Sequence, residues 1–304
     1  MKSRSACVSV DLDALVCYTA IHGLPNPEPG PDPVLHAGLQ RFLELFDAEG
    51  ITATFFVVGR DLDDPVYAEL LRQAAGAGHE LANHTENHHY DLRSKGLATI
   101  ADEIAGCEKR LLRLTGHRCV GFRTPGYNLS PDIAQILAQR GYVYDSSVFP
   151  CPPYYAAKGA VMAGLRALRR PSRSQMTLPG HLRAPRAPYR MHPDAPFAPN
   201  AHGPLWEIPM AVSRRLRLPI IGTTLPIYGM PQLDAAFDDM FNLEFHAIDL
   251  VDDSDGLPPA LVSRQHDART NVAAKRHAFR AAFKTLRNSH RFRTLADATG
   301  AVQP

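Results

Sequence analysis

Two periodicities alternate along the first half of this chain, and that alternation limits what it can fold into. ACVSVDLDAL and ITATFFVVG are short, apolar and β-branched, the pattern of buried strands. Between them, PDPVLHAGLQRFLELFDAEG repeats apolar residues at Leu35, Leu39, Phe42, Leu43 and Phe46 and stops at Gly50, the spacing and terminus of an amphipathic helix. The same rhythm predicts a helix over about 64–77, a strand at HELAN, a helix over about 95–115, a strand at CVGFRT, a helix after the N-cap-like Ser130 and Pro131, and a strand at YVYDSS. PLWEIPMAV and FNLEFHAIDL read as further strands, and AAKRHAFRAAFKTLRNS as a C-terminal helix. About seven strands, mostly followed by helices, predict an α/β fold. Periodicity does not separate a TIM-like barrel, with its chemistry at the C-terminal strand ends, from a doubly wound open sheet.

At 304 residues, 45% hydrophobic and 21% charged, the chain can bury one large core, and we read 1–304 as a single barrel domain. About 150–204 is an insertion or lid, rich in Pro, Arg and His, in which Asp194 is the sole acidic residue. The net charge of +2 and the lack of a basic comb interleaved with aromatics argue against nucleic acid as a partner. MKSRSACVSVDLDALV lacks the apolar stretch of a signal peptide, and nothing approaches the ~18 apolar residues of a membrane span. The expected location is cytoplasmic. Five cysteines without CxxC spacing fit reduced thiols.

Chemistry concentrates at predicted strand ends. Asp11 and Asp13, two apart, leave the same face of an extended chain, so one carboxylate could hold a metal while the other accepts a proton from water; a solvated strand end would read the same way. In HTENHH, His84 and His88 are four apart and would converge on one ion if the loop made a helical turn. With 14 histidines in the chain, about 0.6 such pairs arise by chance, so the pair needs the other motifs. His79 and His89 are alternative ligands or structural residues. Glu86 is not adjacent to His84, which disfavours a HExxH metalloprotease. In GFRTPGYN, Arg123 could grip a carboxylate through its forked donors, and Gly126 could bring a backbone N–H to a substrate oxygen; the same residues would also serve an ordinary turn. His246, late in NLEFHAIDL with Asp249 beyond it, could protonate a leaving amine.

SVDLDA, TATFFVVG, GHELANHTENHH, FRTPGYN, GYVYDSSVFP and LEFHAIDL resemble, in order, the motifs of the polysaccharide deacetylases, carbohydrate esterase family four. The resemblance implies a distorted (β/α)7 barrel and a divalent ion, with Asp13, His84 and His88 as ligands. It further implies Asp11 as base, Arg123 as its orienting partner, His246 as acid and the Gly126 N–H as an oxyanion donor, with Tyr127 a less certain neighbour. Zinc suits two imidazoles and a carboxylate, as do cobalt, nickel, manganese or ferrous iron. Leu12 separates the two aspartates where most members read Asp-Asp, which is similar to the branch containing aminoarabinose-lipid deformylases. The family's Trp-containing fourth motif has no match, since Trp206 is the only tryptophan, leaving Asp249 and Asp145 as candidates to tune His246.

The expected function is therefore metal-dependent removal of a short N-acyl group, acetyl or formyl, from an amino sugar, which could be polyprenyl-phosphate-linked. The alternatives are a metal-free cyclic-amide hydrolase similar to allantoinases and a sugar-binding pseudoenzyme. Within 158–190, Val161, Met162, Leu165 and Leu168 fall at helical spacing among Lys158, Arg166, Arg169 and Arg170. That predicts a basic amphipathic helix, either a lid on the barrel rim or a peripheral anchor on the anionic inner membrane face.

Overall fold

A computed structural model describes residues 4–170, 172–229 and 239–300. Strand β1 (Ser5–Leu12) is buried along nearly its whole length, as a central parallel strand is, with Ser9 and Asp11 the polar residues set among its apolar ones. It pairs in parallel with β2 (Thr54–Val57) on one side and β8 (Met240–His246) on the other. Beyond β2 follow β3 (Glu80–Asn83), β4 (Gly121–Phe122), β5 (Tyr144–Asp145) and β7 (Leu205–Glu207), all parallel, with β6 (Tyr189–Met191) antiparallel at the edge. The short β9 (Arg291–Arg293) adds to the start of β1.

The sheet curls until its ends meet. Past β7 the backbone returns to β8, where the Ala211 N–H donates to the Asn242 carbonyl (2.9 Å) and Ile221 bridges Glu244. The result is the distorted barrel form of an α/β fold, closed by irregular backbone instead of a full strand ladder. The extra strands β6 and β9 have three residues each, too few for a period-two signal.

Helix α1 (Leu15–Ile21) directly follows β1 and has no counterpart in the sequence expectations, whereas α2 (Leu39–Glu49), α3 (Pro65–Gly76), α4 (Leu97–Thr115), α5 (Pro131–Gln139) and α6 (Pro152–Ala167) follow the predicted order. Asp64 caps α3 by accepting the Val66 and Tyr67 N–H groups, and Ser130 caps α5 through Ile133. Helix α2 buries Phe42 and Phe46 against Phe245, Phe279 and Phe283, the last two from the C-terminal helix Val272–Arg287. The predicted basic helix is α6, and its apolar stripe is only partly covered: Val161 is 60% and Leu168, just past its end, 65% exposed. All five cysteines are free and buried.

A polar plug occupies the barrel interior. Arg123, wholly buried, donates to Ser9 Oγ (3.0 Å), to Ser146 Oγ (2.9 Å) and to the Ser146 carbonyl (2.7 Å). Asn242 completes it, accepting from Ser9 Oγ and donating to Ser146 Oγ, each at 3.0 Å. The site lies just above, where the strands end.

Candidate metal centre and active site

Asp13 follows the end of β1, and His84 and His88 follow the end of β3. Asp13 Oδ1 lies 3.3 Å from His84 Nε2 and 3.0 Å from His88 Nε2, and one ligand atom of each of the three falls within 4.8 Å of the others. The histidines do not converge through a helical turn. Thr85 (φ 71°) and His88 (φ 54°) take left-handed conformations, and Thr85 Oγ1 accepts the His88 N–H at 3.0 Å. Non-glycine residues in that region are uncommon and concentrate where a site over-determines the backbone.

The donor chemistry fits a divalent ion. His84 Nδ1 is 2.8 Å from the Arg123 carbonyl, an acceptor, so Nδ1 carries the proton and Nε2 presents its lone pair toward Asp13. Asp13 Oδ1 and His88 Nε2 are close but misaligned, and each is buried without a hydrogen bond. Such orphaned groups cost free energy in an empty interior, whereas converging lone pairs are what a cation needs. Burial works against ionisation of Asp13, but the neighbouring His88 and His84 outweigh it and hold the carboxyl well below the usual range. His88 is pushed down by burial, which keeps it neutral as a ligand must be.

Asp11, inside β1, faces the same pocket, its Oδ2 3.9 Å from His84 Nε2. Its other oxygen accepts from Arg123 Nη1, a pair whose members are 0% and 2% exposed. Arg123 also lies over the Phe56 ring at 4.0 Å. Breaking one partner of such a buried pair strands a charge, so the guanidinium fixes the Asp11 carboxyl group in place.

On β8, Glu244 and His246 are two apart and share a face. His246 Nδ1 is 3.0 Å from Glu244 Oε1, and the Tyr127 hydroxyl donates to the same oxygen at 2.8 Å. Burial would lower His246, but the Glu244 carboxylate overrides it and raises the imidazole well above its ordinary value. Glu244 was not singled out from sequence, although its i, i+2 relation to His246 on a strand was the available signal. Asp249 instead accepts the His246 backbone N–H (2.8 Å), and Asp145 accepts from Ser147 Oγ at 2.7 Å.

Gly126 sits at φ 63° in the turn after β4, next to Tyr127 at φ 61°. A Cβ at Gly126 would fall 3.0 Å from the Tyr90 ring, and no hydrogen bond among the described residues engages its N–H. That position favours glycine on both counts. His79 and His89 stand apart from the site: His79 Nδ1 accepts the Ala53 N–H, and His89 lies 3.4 Å from Glu103.

A family model described as polysaccharide deacetylase matches residues 29–144, the segment that holds His84, His88, Arg123 and Gly126. The peptidoglycan-N-acetylglucosamine deacetylase of Bacillus cereus is 30% identical over 113 residues, 37% of this chain and 50% of that protein. A protein of Arthroderma benhamiae assigned the same activity is 32% identical over 104 residues, 34% of this chain and 24% of that one. The chain thus spans between about a quarter and a half of the length of the curated relatives it matches. Among solved structures, a chain from Mycobacterium smegmatis assigned as a polysaccharide deacetylase aligns with TM-score 0.60 at 17% identity, covering 99% of this chain and 91% of that one. An allantoinase aligns equally well, with TM-score 0.60 at 16% identity over 99% and 90% of the two chains. At those identities the two likenesses speak for the barrel alone. The family model lies over the histidine and arginine motifs, and the barrel carries them on its rim, so residues 29–144 are similar to the polysaccharide deacetylase family over the segment that holds most of the site.

Proposed function

We propose that this protein is a metal-dependent N-deacylase that hydrolyses a short linear amide, acetyl or formyl, on an amino sugar. The observation carrying this reading is the meeting of Asp13, His84 and His88, with orphaned buried ligand atoms, between an arginine-held carboxylate and a carboxylate-held imidazole. Asp13, His84 and His88 would hold the divalent ion, and their mixed nitrogen and oxygen donors suit zinc. When bound, such an ion polarises the amide carbonyl and acidifies water.

The remaining work falls to the chain's own residues. Asp11, held in place by Arg123, accepts the proton of the attacking water at Oδ2, the oxygen that Arg123 does not engage. The Gly126 N–H donates to the carbonyl oxygen as negative charge builds there. His246, protonated beside Glu244, delivers a proton to the amine nitrogen as the C–N bond breaks, and general acid and base groups of this kind contribute about 10²–10⁴-fold each.

The intact triad favours this reading over a metal-free cyclic-amide hydrolase, and the presence of both Asp11 and His246 favours it over a pseudoenzyme. A finer reading follows from the first motif and α6: the sugar is lipid-linked through a polyprenyl phosphate, and the protein is cytoplasmic and peripheral on an anionic membrane face. The exposed Val161 and Leu168 beside Arg166, Arg169 and Arg170 support it; among the described residues no helix is long and apolar enough to cross a membrane. Incubating the metal-loaded protein with a panel of N-acylated amino-sugar nucleotides and lipid-linked amino sugars, and assaying released acetate and formate, tests the function. Release from none of them refutes it.

A further inference from the structure

A second depression adjoins the metal centre and plays no part in the chemistry above. It is a groove of about 400 Å³ between α1, the loop after β3 and the segment following α6, and His88 and Tyr90 form the wall it shares with the site. Tyr90 packs edge-on against His88 with ring centres 4.7 Å apart and lies against Gly126, so only two rings separate the groove from the catalytic groups.

The groove is cationic by construction. Arg60, Lys95 and Arg173 line it against a single carboxylate, Asp91. Asp91 is engaged by Lys95 (2.8 Å) and Arg60 by Asp61 (3.3 Å), whereas the Arg173 guanidinium has no partner among the described residues. Its backbone is nonetheless anchored, because the Arg173 N–H donates to the Ala20 carbonyl (3.4 Å) and Ser172 Oγ to that of Ile21 (2.8 Å), both in α1, which leaves the exposed guanidinium at the mouth of the groove. An unpartnered arginine held by its backbone beside two further cations suits a phosphoryl group, which presents several oxygens to such donors at once. The groove also leads away from the site. At Ser172 it meets a wider depression of about 660 Å³ along α6, lined by Met162 and Leu165 with Arg166, Arg169 and Arg170.

We propose that the groove is a phosphoryl subsite that takes the anionic group of an amino-sugar phosphate ester while the sugar's amide lies at the metal centre. The proposal rests on the deacylase reading for the second half of that statement, and the phosphate could belong to a nucleotide sugar or to a lipid carrier.

Two measurements on the full-length protein separate the halves. In the first, metal-stripped protein is titrated calorimetrically with inorganic phosphate, so that no ion competes for it. Saturable binding is expected, weakened about 10- to 100-fold in Arg173→Gln and in Lys95→Gln, the loss of a charge-assisted hydrogen bond. No saturable binding, or equal binding by wild type and both variants, overturns the subsite. In the second, the metal-loaded protein is given N-acetylglucosamine 1-phosphate and the corresponding methyl glycoside. Arg173→Gln is expected to raise KM for the phosphate ester alone; equal effects on both substrates overturn the proposal. Phosphate binding with hydrolysis of neither substrate leaves the groove standing and removes the deacylase reading. Displacement of bound phosphate by UDP-N-acetylglucosamine or by a micellar polyprenyl monophosphate identifies the source, the latter weakening in Leu165→Glu. Displacement by neither overturns the proposal.

Discussion

Glu244→Gln is the most direct probe of how the acid is made. Glu244 is fully buried and its Oε1 stands 3.0 Å from His246 Nδ1. At that distance, and at an effective dielectric of about 20, the pair interacts by roughly 5 kcal/mol. The imidazole is 21% exposed, so solvent screens part of this and the figure is an upper bound. The amide keeps the shape and a hydrogen-bonding oxygen but removes the charge, leaving burial, which favours neutral His246, opposed only by the weaker pull of Asp11 and Asp13. The sign follows. In the wild type the raised imidazole loses its proton only when pH climbs well past its ordinary value, so activity falls on the alkaline side. In Glu244→Gln the same loss comes at lower pH. Near neutral pH the variant should therefore drop about 10²–10⁴-fold in kcat, toward the level of His246→Ala, and recover as pH is lowered, which His246→Ala cannot do. Initial rates of acetate or formate release against pH, with metal content measured in parallel, give the answer. An unchanged alkaline limb at near wild-type rate would refute the reasoning. Tyr127→Phe, which removes one donor to Glu244 but not its charge, should shift the limb much less.

The remaining predictions concern the rest of the site. His84→Ala should purify with substoichiometric divalent metal by elemental analysis, and full occupancy would show that the ligands are wrongly assigned. Asp11→Asn should keep its metal while losing about 10²–10⁴-fold in turnover, the contribution of a general base; loss of metal would mean that the two aspartates exchange roles. Asp249, pushed up to about 7 chiefly by burial, binds a proton more tightly folded than unfolded. Its stabilisation is thus complete below about pH 4 and is lost as pH rises through 7, so wild type should lose stability relative to Asp249→Asn across that window, by on the order of 1 kcal/mol or more. Urea denaturation at several pH values checks it, and parallel curves would contradict it.

Most helices and strands were legible because their signals are local: α2 ends at Gly50 and α3 starts after Asp64, as periodicity predicts, whereas the short α1 was not. Arg123, His84 and His88 were legible as types but not as geometry. The Arg123 partner Asp11 is 112 residues away, and no spacing rule encodes that the guanidinium is wholly buried. The histidine pair meets through left-handed Thr85 and His88, where the sequence offers no glycine as a marker. Glu244 was hidden for the opposite reason. It alternates with the core residues Phe241, Leu243 and Phe245, which make the strand read as apolar, and only the curled sheet brings Tyr127 to it.

The plug formed by Ser9, Arg123, Ser146 and Asn242 ties β1, β5, β8 and the end of β4 together at the foot of the candidate site. Opening any one of these strands leaves a guanidinium and an amide stranded in a dry interior, so none of them can fray alone without a large penalty. Amide hydrogens on the four elements should consequently exchange as one cooperative unit, at the free energy of global unfolding, while α6 and its neighbouring loops exchange sooner. Thermal inactivation and barrel melting would then be a single event, and the base would hold its aim for as long as the protein has a core.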